Sequence, residues 1–143
     1  MNTQASCELC VQAGGEVVCR QDAFRVVLVD DPGYPGFCRV IWNAHVREMT
    51  DLPLSERELL MQAVWKVESA IRAVMAPAKM NIASLGNMVP HLHWHLIPRF
   101  DDDAHFPGPI WAQVQRPGTP DGLAKRQALL PELKNALIRQ FSS

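Results

Sequence analysis

The sequence predicts a single domain that contains both strands and helices. Its 143 residues suit one domain of ordinary size with one hydrophobic core. Its composition, 48% hydrophobic and 20% charged residues, is that of a globular protein. Short β-rich stretches lie on both sides of one long segment with helical spacing of apolar residues. Together these three observations predict a mixed fold of five strands and two helices.

The first part of the chain predicts three strands. Residues 16–19 and 24–29 are β-rich and are separated by turn residues, which predicts a hairpin. Residues 30–36 are dense in Asp, Pro and Gly and predict a loop at one end of the sheet. The apolar run 37–42 then predicts the third strand.

The middle of the chain predicts a long helix followed by two strands. A capping-box pattern at Ser55 marks the start of the helix, and Pro77 requires that the helix end before it. Residues 79–85 predict the fourth strand and residues 89–99 the fifth, with a turn or bulge at 86–87 between them.

The last part of the chain predicts an irregular segment and a second helix. Residues 100–120 contain four prolines and two glycines, which predicts ordered but irregular structure. Residues 123–141 carry an apolar stripe at helical spacing, and Pro131 predicts a kink or a restart within that helix.

Composition also restricts the partners and the compartment. The formal net charge of −1 argues against a nucleic-acid-coating protein, although it allows a small phosphorylated ligand. The sequence has neither a signal-peptide pattern at its start nor an apolar run of membrane-spanning length, which predicts a cytoplasmic protein without a membrane partner. In that compartment the four cysteines predict free thiols or a metal site instead of disulfides.

Three alternating histidines are the strongest chemical signal in the sequence. Successive side chains of a strand point to opposite faces, so His91, His93 and His95 should share one exposed face of the fifth strand. The apolar residues between them should face the core. Three imidazoles in a row have no packing rationale, because each carries a donor and an acceptor that require partners.

Two kinds of chemistry fit this triplet. Neutral imidazoles ligate transition metals readily, which would make the three histidines a catalytic metal site. Alternatively, one imidazole attacks phosphorus while its neighbours hydrogen-bond to the phosphoryl oxygens. The triplet alone leaves both interpretations open.

The segment around the triplet resembles the signature of the histidine triad (HIT) family, His-x-His-x-His followed by apolar residues. Residues 86–99 read Gly86-Asn87-Met88-Val89-Pro90-His91-Leu92-His93-Trp94-His95-Leu96-Ile97-Pro98-Arg99, in which the preceding Gly-polar-x-Val and the following Ile-Pro-Arg also match. Upstream, Val29-Asp30, the third strand, residues 43–46 and the long helix follow in the family's order. The resemblance therefore predicts one HIT domain over 1–143, with its motif-bearing core at about 7–111 and a C-terminal tail and helix at 112–143.

This resemblance implies a fold and a reaction. The fold would be α+β, a five-stranded antiparallel sheet with one long helix packed on it, and the protein a homodimer. His93 would attack the α-phosphate of a dinucleoside polyphosphate or a nucleoside phosphoramidate and carry the nucleotidyl group, with no cofactor required for catalysis. His95 would contact the phosphoryl group, and His91 would hold the strand end or a metal. The second ring nitrogen of His93 would donate to an acceptor such as a backbone carbonyl, which fixes the tautomer.

The resemblance also implies nucleotide-binding residues. Asp30 matches the ribose-binding position, with Asp31 an equally short reach away, and Asn81 resembles an asparagine on the phosphate side of the site. Asn87 can donate a hydrogen bond, whereas Met88 stands where many members have a hydroxyl residue. Phe37 replaces a frequent histidine. The departures at Met88 and Phe37 therefore affect the identity of the substrate more than the type of reaction.

A structural zinc site is implied by one branch of the family. The positions that correspond to its ligands are Cys7, Cys10, His45 and His91, two thiolates and two imidazoles suited to a closed tetrahedral site. Such a site would attach the N-terminus to the sheet. On the residues alone, a chance or redox interpretation of the Cys-x-x-Cys pair stays equally open, and His45 could instead cap the following loop.

Assembly and alternative functions complete the expectations. The long helix carries apolar character beyond one face, which predicts that Trp65 and Met61 lie in or beside a two-fold interface. Trp111 is expected to approach the active site from the tail. The alternative functions are a non-catalytic nucleotide-binding or signalling module, indicated by Met88 and Phe37, and a metallo-hydrolase that uses the three histidines together.

Overall fold

Five strands form one antiparallel sheet in a computed structural model that describes residues 3–142. The strands are β1 (Glu16–Arg20), β2 (Phe24–Leu28), β3 (Cys38–Trp42), β4 (Lys79–Ala83) and β5 (His93–Arg99). Their order is β1-β2-β3-β5-β4, and every neighbouring pair is antiparallel. The structure confirms the α+β fold with a five-stranded antiparallel sheet.

Four α-helices accompany the sheet in the described part of the chain. They are α1 (Glu8–Val11), α2 (Leu54–Met75), α3 (Pro120–Ala128) and α4 (Leu130–Phe141), and a 3-10 turn spans Met49–Asp51. Between residues 3 and 142, no helix combines the length and the apolar content needed to cross a membrane.

The main hydrophobic core lies between one face of the sheet and the helices α2 and α4. Apolar side chains that repeat every second residue in the strands meet the apolar stripes of the two helices. Burial of each large aliphatic side chain stabilises the fold by roughly 1.5–3 kcal/mol. The fully buried members include Val26, Val40, Leu60, Val64, Val67, Ile71, Leu96, Leu133 and Leu137.

The N-terminal segment, residues 7–15, covers part of the opposite face of the sheet. Cys7 and Leu9 pack on Val27 and Ile41 in a second apolar cluster. Gly14 adopts φ 85°, and a Cβ there would lie 2.7 Å from Ile41 Cδ1, so glycine allows the segment to lie this close to the sheet.

Arg25 of β2 anchors the N-terminal segment. Its Nε donates to the carbonyl of Ala13 (2.9 Å), and its Nη2 donates to the carbonyls of Leu9 (2.8 Å) and Gln12 (3.0 Å). Its Nη1 donates to Asn43 Oδ1 (2.9 Å). These four hydrogen bonds compensate for the burial of the guanidinium, and they position the segment that carries two of the predicted metal ligands.

Several element boundaries differ from the sequence expectations. The long helix begins at Leu54, because Pro53 is its N-cap and no side-chain cap forms, so the capping box predicted at Ser55 is wrong. Strand β5 begins at His93, not at residue 89, because Pro90 has no N–H for the ladder and the His91 N–H turns back to the Val89 carbonyl.

The C-terminal part contains two helices where one was predicted over 123–141. The helix is interrupted at Leu129, and Pro131 lies in the first turn of α4, so the proline marks a restart. Strand β4 ends at Ala83, two residues before its predicted end, and α1 was not predicted.

Candidate active site

His93 is the first residue of β5 and its imidazole has a defined hydrogen bond. The side chain is buried, and its Nδ1–H donates to the backbone carbonyl of His91 at 2.5 Å. This bond leaves Nε2 as the ring nitrogen with an available lone pair, as the sequence analysis predicted. Burial lowers the pKa of His93 below its usual value, which favours the neutral form that a nucleophile requires.

His95 lies two residues further along the same face of β5. Its ring centroid is 4.8 Å from that of His93, and the rings of Phe37 and Trp111 pack against it with centroids at 5.7 and 5.3 Å. Burial, and then the charges of His93 and Arg39, lower the pKa of His95 to about 4. The imidazole is therefore neutral near pH 7, and the expected approach of Trp111 to the site is confirmed.

These histidines line a cavity of about 450 Å³. Its volume falls in the range of small-molecule sites. Met88 is 93% exposed at its rim, where its side chain can contact a ligand. The lining residues are Arg39, Leu85, Gly86, Asn87, Met88, Val89, His93, His95 and Trp111. We refer to this cavity as the histidine pocket.

Two predicted nucleotide-binding residues lie elsewhere. Asp30 lines a different cavity of about 550 Å³ together with Gln127 and Lys134 of the C-terminal helices. Asn81 is in β4, and its Oδ1 accepts a hydrogen bond from Arg99 Nη1 at 2.7 Å. The fold thus brings Asn87 and Met88 to the histidine pocket but leaves Asp30 and Asn81 outside its lining.

His91 does not share an exposed strand face with the other two histidines. All three side chains are buried, and His91 precedes β5 in the bend that follows Pro90. Its Nε2–H donates to the Trp42 carbonyl at 2.5 Å, while its Nδ1 lies 3.3 Å from Cys7 Sγ and 3.5 Å from Cys10 Sγ. The predicted exposed triplet is therefore wrong, because the bend turns His91 toward the N-terminal segment.

Cys7, Cys10, His45 and His91 form a cluster that could hold a metal ion. Their ligand atoms all lie within 4.8 Å of one another, and Cys10 Sγ is 3.5 Å from His45 Nδ1. Tetrahedral zinc with ordinary bond lengths separates its sulfur and nitrogen ligands by about 3.5 Å. The hydrogen bond from His91 Nε2 to a carbonyl also leaves Nδ1 for the metal. Donor chemistry and spacing both fit zinc.

Sequence reasoning missed Arg39, the charged residue that lines the histidine pocket. Arg39 lies in β3 directly opposite His95 in β5, so the two side chains emerge on the same face. Its Nη1 donates to the Gly14 carbonyl at 3.0 Å. The sequence feature that could have indicated Arg39 is its charge inside an otherwise apolar strand. Arg39 lies two residues before Ile41, on the same face of that strand.

Comparisons with known proteins agree with this geometry. The HIT domain pattern matches residues 11–102. An AP-4-A phosphorylase of Mycobacterium tuberculosis is 33% identical over 98 residues, which cover 64% of this chain and 50% of that protein. A bis(5'-nucleosyl)-tetraphosphatase (asymmetrical) of Schizosaccharomyces pombe is 31% identical over 90 residues, 59% and 50% of the two chains. The chain spans about half the length of these curated relatives.

Solved structures show the same fold. A histidine triad protein of Bradyrhizobium japonicum superposes with a TM-score of 0.72 at 26% identity, covering 91% of this chain and 92% of that one. A histidine triad protein of Marinobacter aquaeolei gives 0.71 at 28% identity, with 96% and 99% covered. A zinc-bound histidine triad family protein of Mycobacterium smegmatis gives 0.61 at 24% identity, with 94% of each chain covered.

Proposed function

The chain belongs to the HIT domain family, and on this premise we propose that it cleaves a nucleotide at its α-phosphate through a nucleotidyl group carried on His93. The substrate class is dinucleoside polyphosphates or nucleoside phosphoramidates. The observation that carries the proposal is the hydrogen bond from His93 Nδ1–H to the His91 carbonyl. That bond leaves Nε2 as the nucleophilic nitrogen of a residue that lines the pocket.

The proposed reaction consists of two displacements. In the first, the Nε2 lone pair forms a bond to the α-phosphorus, and the bond from phosphorus to the leaving phosphate or amine breaks with its electron pair on the leaving group; an amine takes up a proton from solvent as it leaves. In the second, an acceptor oxygen attacks the same phosphorus and the phosphorus–nitrogen bond breaks. The electron pair returns to His93, and the proton of the acceptor passes to solvent.

The names of the curated relatives support a choice of acceptors and substrates to test. One curated relative is named a phosphorylase and the other a tetraphosphatase, so phosphate and water are the two acceptors to compare. With diadenosine tetraphosphate, attack at the α-phosphate gives AMP and ATP when water is the acceptor and ADP and ATP when phosphate is. The relatives' names support dinucleoside tetraphosphates as the first substrates to test.

The proposal includes a structural zinc ion at Cys7, Cys10, His45 and His91. Bound there, zinc would fix the N-terminal segment to the sheet. It would also immobilise His91, whose carbonyl orients the imidazole of His93. The spacing of the four ligand atoms supports this part of the proposal, as does the zinc-bound relative from Mycobacterium smegmatis.

A homodimer is the proposed assembly. Strand β4 is an edge strand of the sheet, and edge strands present unpaired backbone groups that a second chain can use. On α2, Trp65 is 56% exposed and points away from the core that the helix forms with the sheet. A two-fold contact through β4 and α2 would cover both features.

The contacts in the site argue against one alternative function and in favour of the other. A metallo-hydrolase with three histidine ligands fits poorly, because both ring nitrogens of His91 have neighbours outside the pocket, Trp42 on one side and the two cysteines on the other. A non-catalytic binding module is favoured by Phe37 and Met88, which supply no hydroxyl or imidazole to a phosphate.

A substrate panel tests the proposed function. We expect the wild-type chain to cleave diadenosine tetraphosphate or adenosine 5′-phosphoramidate, in EDTA and without added metal. We expect His93→Ala to lower the rate at least about a thousandfold. His105→Ala is the matched control, because His105 lies outside the pocket lining and should retain wild-type rates.

Each of three results would reject the proposal in a different way. More than a few per cent residual activity in folded His93→Ala would remove His93 as the nucleophile. Rapid loss of activity in EDTA with the fold unchanged would favour the metallo-hydrolase. Nucleotide binding without turnover of any substrate would favour the binding module.

A further inference from the structure

Arg39 offers an unused hydrogen-bonding edge next to the histidine pocket. Its Nη1 donates to the Gly14 carbonyl, and its guanidinium carbon lies 5.6 Å from the centroid of the Phe37 ring. Its Nε is buried and has no hydrogen-bond partner within residues 3–142. A buried N–H without a partner is costly, so an acceptor oxygen that reached this group would be favoured there.

The guanidinium geometry defines what that partner would be. Nε and Nη2 lie on one edge of the planar group, and two parallel N–H donors match two oxygens of a phosphoryl group or a carboxylate. Nη1 is held by Gly14 on the other side. The edge that contains Nε is therefore fixed in orientation before any ligand binds.

A phosphate in the pocket would need a positive charge beside it. Among the residues that line the cavity, Arg39 is the one with a permanent positive charge. The imidazole of His95, whose pKa lies near 4, is neutral at pH 7. Met88 supplies no hydroxyl, and all four hydrogen bonds of Arg25 go to protein atoms. The exposed Glu8 is the acidic group whose charge acts on Arg39, and the described residues contain no ion pair between them.

We propose that Arg39 binds the nonbridging oxygens of the α-phosphoryl group while it is transferred to and from His93. This inference rests on the proposed function and deepens it by naming the residue that stabilises the negative charge. The register pairs Arg39 with His95, and Arg39 lines the same cavity as His93 and His95. The guanidinium supplies there the phosphate contact that a hydroxyl at position 88 would otherwise give.

Binding of AMP and of adenosine separates this role from a structural one. We expect the wild-type chain to bind AMP more tightly than adenosine in calorimetric titrations, because AMP presents phosphoryl oxygens to Arg39. Arg39→Gln should weaken AMP binding about tenfold or more and leave adenosine binding unchanged. Arg39→Lys should retain part of the difference, since it keeps the charge but not the bidentate edge.

The controls address folding and charge. Arg139→Gln removes the same charge from an exposed position on α4, which packs on the other face of the sheet, and should behave as wild type. Thermal unfolding checks that loss of the bond to Gly14 leaves the fold intact. Arg39→Met is a second charge-removing variant if Arg39→Gln fails to fold.

Turnover gives a second readout. With diadenosine tetraphosphate, Arg39→Gln should lower kcat by about a hundredfold or more, the usual cost of one lost oxyanion contact. Equal wild-type affinity for AMP and adenosine, or an equal loss of both in a folded Arg39 variant, would overturn the inference. Absence of wild-type turnover would reject the proposed function, whereas the AMP and adenosine affinities would still decide the role of Arg39.

Discussion

At the scale of single residues, a buried ion pair holds the loop that brings Trp111 to the pocket. Arg99 Nε and Nη2 each donate to one carboxylate oxygen of Asp103 at 2.9 Å. The carboxylate also accepts the backbone N–H groups of His105 (3.1 Å) and Phe106 (2.7 Å), and Arg99 Nη2 donates to the Gly108 carbonyl (2.7 Å). This network fixes the start of the segment that leads to Trp111.

The ion pair predicts a pH-dependent stability. Burial alone would raise the pKa of Asp103, but hydrogen bonds from Arg99 and from backbone N–H groups lower it to about 2. A lowered carboxyl pKa stabilises the fold above the unfolded value of about 3.9, and this stability is lost as the pH falls through about 2. The wild-type free energy of unfolding should therefore decrease by about 2 kcal/mol across that window. Urea unfolding at a series of pH values measures it.

Asp103→Asn is the variant that isolates this contribution. Removal of one partner leaves Arg99 buried without its counter-charge, so we expect a loss of about 3 kcal/mol at pH 7 and a shallower decrease in acid. Asp101→Asn, at an exposed position in the same loop, should keep the wild-type profile. An Asp103→Asn profile parallel to that of the wild type would contradict the assignment.

The sequence predicted the candidate catalytic histidines better than their surroundings. Alternation and the family signature indicated His93 and His95, and even the carbonyl acceptor of His93 was expected. Strand alternation placed His91 wrongly, because its orientation depends on a bend after Pro90 and on a contact with Trp42, 49 positions earlier in the chain, whereas the family resemblance grouped it correctly with Cys7, Cys10 and His45. Arg39 was missed because its place in the pocket depends on strand register, which pairs it with His95 only in the folded sheet.

At the scale of elements, periodicity predicted the elements that pack on the core. The long helix and all five strands were found, since each buries an apolar stripe or face. The short helix α1 was not predictable, because its four residues are held by Arg25 and by contacts with β2 and β3 rather than by their own pattern. The early start of α2 reflects Pro53, which set the helix start in place of the predicted cap at Ser55.

The N-terminal segment should depend on bound zinc for its attachment to the sheet. Cys10→Ser should lower the zinc content of the purified chain from about one ion to well below one, because a tetrahedral site loses a thiolate. The same variant should make the segment more accessible to protease, whereas turnover should persist at a reduced rate. Metal analysis by mass spectrometry and limited proteolysis measure these effects.

Cys19→Ser is the matched control for the metal prediction. Cys19 is a buried thiol of β1 outside the cluster, so its replacement should leave the zinc content unchanged. A wild-type chain purified with zinc available but without bound metal would contradict the structural zinc site, as would equal zinc contents in the two variants.

In the molecule as a whole, the sheet separates the main hydrophobic core from the histidine pocket and the metal cluster. One face packs on α2 and α4 and carries the main core, while the other face carries the histidine pocket and the metal cluster. Substitutions in the pocket therefore replace side chains that do not pack in that core. The sheet order also leaves β4 at an edge, next to the segment that continues into Leu85 and Gly86 of the pocket.

This arrangement predicts a dimer that is sensitive to one exposed tryptophan. The proposed dimer should have twice the chain mass of 16.0 kDa in light scattering at micromolar concentration. Trp65→Glu should shift it toward monomer, because a charge in an apolar interface is costly. Val114→Glu, at a similarly exposed apolar residue of the tail, should remain dimeric. A wild-type monomer across the concentration range would contradict the dimer.

The central claim is that His93 carries the nucleotidyl group, and rapid-quench mass spectrometry with diadenosine tetraphosphate tests it most directly. We predict that the first turnover adds one adenylyl group to the chain, that peptide mapping locates it on His93, and that folded His93→Gln acquires none. First-turnover product formed without any adduct, or an adduct on another residue, would contradict the account.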